Sequence, residues 1–158
     1  MAYEKFIRFL KKYDLEMNDL VYFLTKLVPA NTFLLAEAKA LIECEKIFGK
    51  EFIRTGLYES IDLKSKDDEI WVEVKEIGGL APGSLTLSRS QIMKLLNGIK
   101  QGKEVFIAVV SLSKMILIDL RGYRKYLEDA LKEEEGMIKL LVKLNEHIEK
   151  ELLKIDEG

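Results

Sequence analysis

Cysteine and histidine are almost absent from these 158 residues: Cys44 and His147 are the only ones. One cysteine excludes an intrachain disulfide framework and a cysteine-built zinc site. One histidine argues against a His-based metal centre or a His-driven triad. Any chemistry therefore falls to carboxylates and lysines. No apolar run is long enough for a membrane span, and the first dozen residues are too interrupted by charge for a signal peptide. A surplus of one charge is missing too. The formal net charge of −2 supplies no basic field, so nucleic-acid binding needs a local patch. Glutamine is rare (Gln91 and Gln101) amid abundant Lys and Glu, a balance that leans towards a thermophile. What remains, 48% apolar and 33% charged, is the composition of a globular chain, and its length fits one domain. A cytoplasmic protein is expected.

Along the chain, Tyr3, Phe6, Ile7, Leu10 and Tyr13 recur at helical spacing, and a second short helix is expected to end before Pro29. Residues 1–28 read as a helical appendage, either a basic arm touching phosphates or a pair packed on the main fold. A core of residues 32–120 follows. Thr32 and Gly49 bracket a helix with Lys39, Glu43, Lys46 and Lys50 on one polar face and Leu34, Leu41, Cys44 and Phe48 opposite. Glu37 falls with the inward set, where a carboxylate needs a partner or a cation. The alternative has it snorkel out at the helix N-terminus. Residues 58–63 and 69–77 read as an antiparallel hairpin across the polar turn 64–68. A flexible loop is expected at 78–83. Ser88 then opens a helix, with Gln91 completing a capping box and Gly102 closing it. Residues 104–110 and 115–120 are apolar runs expected to be buried strands. Helices over 122–156 follow, the last of them long and amphipathic, able to cover the sheet or to pair with a second chain. The fold class is α/β, a mixed sheet flanked by helices in the core order α-β-β-β-α-β-β.

In residues 69–77, Glu73 and Lys75 leave the same face of a strand. They are either a solvated surface pair or the acid and base of a site. Phosphodiester hydrolysis needs an activated water and neutralisation of charge on the phosphate, and Mg²⁺ held by two or three carboxylates supplies both. Asp62, Glu73 and Lys75 are the minimum set for that chemistry, and Glu37 adds a further ligand.

Asp62, ten intervening residues and then Glu73-Val74-Lys75 resemble the PD-(D/E)xK signature of the restriction-endonuclease-like nuclease superfamily. The helix bearing Glu37 resembles that family's first-helix glutamate, and Gln91 with Lys94 its QxxK helix. The likeness spans residues 34–120 and points to small nuclease domains such as archaeal Holliday-junction resolvases and RecB-like proteins. It implies a Mg²⁺-dependent (or Mn²⁺-dependent) nuclease acting on DNA. Asp62, Glu73, the Val74 carbonyl and Glu37 would bind the metal and Lys75 would be catalytic. Gln91 would order the site, and Arg89 and Lys94 would meet nucleic acid. A basic rim of Arg54, Lys64, Arg89, Lys94, Lys100 and Lys103, and a homodimer through the C-terminal helix, are further expectations. The chain departs from the pattern at Ser60-Ile61, in place of the usual Pro or Gly context, which leaves Glu59 a competitor to Asp62. A nuclease-fold module without catalysis, or a helical interaction protein, are the alternatives.

Overall fold

The computed structural model describes residues 2–24, 35–55, 61–77, 85–111 and 114–157. The expected cap at Thr32, the competitor Glu59 with Ser60, and the loop 78–83 lie outside them. Helices α1 (Ala2–Lys12) and α2 (Met17–Leu24) precede α3 (Leu35–Phe48). Strands β1 (Phe52–Arg54), β2 (Leu63–Ser65) and β3 (Ile70–Glu76) follow, then α4 (Arg89–Lys100), β4 (Glu104–Ser111) and β5 (Lys114–Asp119). A 3₁₀ turn (Leu120–Tyr123) leads into α5 (Arg124–Lys132) and α6 (Glu134–Glu157). The α-β-β-β-α-β-β order expected from the sequence is the order from α3 to β5.

The described strands form one sheet in the order β1-β2-β3-β4-β5, antiparallel throughout except for the parallel β3–β4 pair that α4 bridges. Period-2 alternation sends Trp71 of β3 and Val105, Ile107 and Val109 of β4 to one face, against α4, α5 and α6. Ile70, Val72, Phe106, Ala108 and Val110 go to the other face, against α3 and the N-terminal helices. β4 is buried on both faces, as its unbroken apolar run requires.

Three expectations are corrected here. Among the described strands β5 is an edge strand paired with β4, and its burial alternates rather than being continuous: Ile116 and Ile118 are buried, while Met115 and Leu117 pack half-buried on the α3 side. Lys39 is not on a solvated stripe. Leu10, Leu20 and Phe23 belong to the same buried cluster as α3, and Lys39 is buried with its ammonium 3.1 Å from Glu43. Residues 2–24 are thus a covering layer. The turn between β2 and β3 is also shorter than expected. Lys64 and Ser65 still belong to the strand, and the buried Ser65 hydroxyl accepts from the Glu69 and Ile70 N–H groups. α6 covers the sheet side of the fold: Leu140, Leu144 and Ile148 are fully buried among α4, α5 and the sheet.

Gly98 marks where α4 crosses β3. A Cβ there would lie 2.5 Å from the Trp71 ring. Trp71 itself is fixed by its indole N–H on Asp68 at 2.7 Å and by Lys64 over the ring. Gly98→Ala should therefore cost about 1–3 kcal/mol of stability in urea unfolding. A Gly122→Ala control, where nothing approaches the added carbon, should unfold within about 0.5 kcal/mol of the parent.

Candidate active site

The β2–β3 ladder stops at Leu63–Val72. Beyond it, Val74 N–H donates to the Asp62 carboxylate at 2.8 Å instead of to a strand partner. The Ile77 N–H bonds β4, so odd-numbered residues of β3 turn their backbone groups to β4 and even-numbered ones to the β2 edge. The Val74 carbonyl therefore leaves on the Asp62 side. The end of the ladder opens a notch in the sheet, and the aspartate fills it.

On the face covered by α4, Glu73 is 3% exposed. Ser88 caps α4 by accepting from Gln91 N–H, and the Gln91 Oε1 accepts from Ser88 N–H at 2.9 Å, closing the capping box read from the sequence. The same amide reaches β3. Its Oε1 also accepts from Lys75 Nζ at 3.0 Å, and its Nε2 donates to Glu73 Oε1 at 2.9 Å. Gln91 is thus both cap and bridge.

Glu73 Oε2 is buried and meets no donor. The group within hydrogen-bonding reach of the Glu73 carboxylate on this side is Asp62, itself an acceptor when ionised. Burial, then the Asp62 charge, pushes the Glu73 carboxyl well above the usual carboxylate range, against the pull of Lys75. Burial also raises Asp62, opposed by the Val74 N–H and Lys75. Two such oxygens face to face require a shared proton or a cation between them. The Glu73–Lys75 pair is therefore not a solvated face.

Glu37 is buried and inward, but its carboxylate is taken. Arg54 Nε and Nη2 both reach Glu37 Oε2, at 2.8 and 2.5 Å. Burial raises its pKa, Arg54 opposes this, and the Asp62 charge adds to it. Among the described residues no three Asp, Glu, His or Cys side chains converge where a metal ion could sit, so Glu37 does not join Asp62 and Glu73 there. Arg54 was expected on a basic rim and is 4% exposed instead. Sequence reasoning missed this pairing, although Phe52 and Arg54, two residues apart, had to share a face. Of the other rim residues, Arg89 donates to the Leu131 carbonyl at 2.6 Å, Lys103 pairs with Asp68, Lys64 lies over Trp71, and Lys94 is exposed.

The donor set suits a hard divalent cation: two carboxylates and a backbone carbonyl at a notch, one carboxylate oxygen lacking any donor. Comparison with family models, curated proteins and solved structures finds no match to this chain.

A pH dependence follows from Glu73. Its folded pKa is raised above the unfolded value, so the native state holds the proton longer and stability falls as pH rises towards the raised value. In chelator, the melting temperature should drop between about pH 5 and about pH 8.5. Glu73→Gln keeps the bond from Gln91 and should flatten that drop, leaving the variant about 1–3 kcal/mol more stable than the parent at the alkaline end. Thermal unfolding of both proteins across that range is the measurement; parallel curves would remove the strained pair from the description.

Proposed function

We propose that this chain is a divalent-cation-dependent nuclease of the PD-(D/E)xK type, with a restriction-endonuclease-like core, that hydrolyses phosphodiester bonds in DNA. The observation that carries it is the Asp62–Glu73 pair, with its buried donorless oxygen beside a lysine held by Gln91. A surface ion pair has no reason to bury Glu73 or to fix Lys75 from a neighbouring helix. The matching order of elements from α3 to β5 adds support.

Asp62, Glu73 and the Val74 carbonyl would hold Mg²⁺ or Mn²⁺, which when bound acidifies a water and neutralises charge growing on the phosphate. The residues around that point divide the remaining work. Lys75, positioned by Gln91 Oε1, presents a cation to the phosphate oxygens and can orient the attacking water. Gln91 Nε2 fixes the Glu73 carboxylate so that its other oxygen faces Asp62. Val74 N–H fixes Asp62 in the same way from the opposite side. Lys94, one turn along α4 and exposed, is available to a phosphate further along the strand. Arg89, engaged with the end of α5, contributes only if it lets go of Leu131. Ile138 and Val142 are exposed apolar side chains on α6, which favours a homodimer through that helix. Among the described residues no helix is long and apolar enough to cross a membrane.

Nicking of supercoiled plasmid with Mg²⁺ or Mn²⁺ is the test. The parent should cut, and Glu73→Ala and Lys75→Ala should each lose about 100-fold or more while staying folded. The two roles of Gln91 separate in the same assay. Ser88→Ala removes half of the cap and should cost about 1 kcal/mol of stability with cutting largely retained. Gln91→Ala should lose both stability and at least about tenfold in rate. An inert parent that binds neither cation by calorimetry would instead mark a module of this fold that binds without catalysis.

A further inference from the structure

Arg54 is the least expected part of the site. It extends from β1 into the layer between the sheet and α3, where its guanidinium carbon lies 4.9 Å from the centre of the Phe23 ring. Two of its nitrogens bond one Glu37 oxygen, and its charge also reaches Asp62. The guanidinium therefore occupies the helix carboxylate that a second divalent cation beside Asp62 would need. The planar fork of a guanidinium is matched to a carboxylate. Phe23, itself fully buried, backs it from α2. On the other side of Asp62, Glu73 is buried and has an oxygen without a donor, so the Glu37 carboxylate is satisfied where that of Glu73 is not.

Resting on the cation-dependent reading above, we infer that Arg54 is a built-in counter-cation that withholds Glu37 from metal ligation. The site then takes a single divalent cation per chain, on Asp62 and Glu73. Arg54 is a positioning residue: it sets how many cations enter and leaves the reacting atoms to Lys75 and the carboxylate pair. The N-terminal helices take part in the site through Phe23.

The test is Mn²⁺ binding to the full chain, followed by calorimetry for stoichiometry and by electron paramagnetic resonance for the spacing of bound ions. The parent should bind one Mn²⁺ and give an isolated-ion spectrum. The neutral double variant Glu37→Gln/Arg54→Gln should still bind one, because neither residue ligates the ion and their charges are removed together. Arg54→Met frees Glu37, and if it folds by circular dichroism it should bind two ions with a spin-coupled spectrum; if it does not fold, the double variant decides. Two ions on the parent, a double variant that binds none, or a folded Arg54→Met that stays at one each overturn the inference while leaving the cation-dependent reading in place. A parent that binds no Mn²⁺ overturns both.

Discussion

Two carboxylates that face each other out of water are the constraint on which the rest of this site depends. Asp62 and Glu73 come from strands that have just ceased to pair, and each is held by one donor on its far side, Val74 N–H and Gln91 Nε2. Neither donor neutralises the space between them. A hydrophobic residue at position 73 would relieve the cost of burying a carboxylate there, since burying a charge without a partner is among the most expensive substitutions a core can carry. Two buried oxygens at this spacing are tolerable only with something positive, a proton or a cation, between them. The strain is local. β4 beside it is buried on both faces and apolar throughout, so β3 is held in place by packing that does not depend on how the carboxylates are charged.

The sequence carried most of the framework because its signals were local. The capping box at Ser88 and Gln91 depends on residues three apart, and the positive φ at Gly49 and Gly102 ends α3 and α4 where glycine allowed it. The β2–β3 hairpin and the unbroken run of β4 are likewise patterns within a few residues. Apart from the length of the β2–β3 turn, the misread features required knowledge of what packs from far along the chain. Lys39 looks solvated by helical spacing, and only the cover of α1 and α2 puts it inside. Residues 115–120 are as apolar as a central strand, and only the sheet order makes them an edge. Arg54 looks like surface charge until Glu37, seventeen positions earlier, is brought against it. Asp62, Glu73 and Lys75 were legible as a set. Their depth was not, since alternation in a strand says which side chains share a face but not whether a helix covers that face.

Gln91 joins the stability of the fold to the chemistry of the site. One amide satisfies the Ser88 N–H at the start of α4, receives Lys75 and donates to Glu73. A capping residue is normally replaceable by anything that offers an acceptor, because its task is to satisfy an orphan N–H of the first turn. Here Glu would serve the cap equally well and fail the site. It would bring a third carboxylate against Glu73 and replace the bond that Nε2 donates with repulsion. Lys or Arg would keep a donor for Glu73 and lose the acceptor that Lys75 and the Ser88 N–H both use. Only a side chain with an acceptor and a donor on one planar group satisfies all three neighbours, and at the third helical position only glutamine has the reach for both. The chain holds two glutamines, Gln91 and Gln101, and at position 91 neither the charge of Lys nor that of Glu would satisfy all three neighbours.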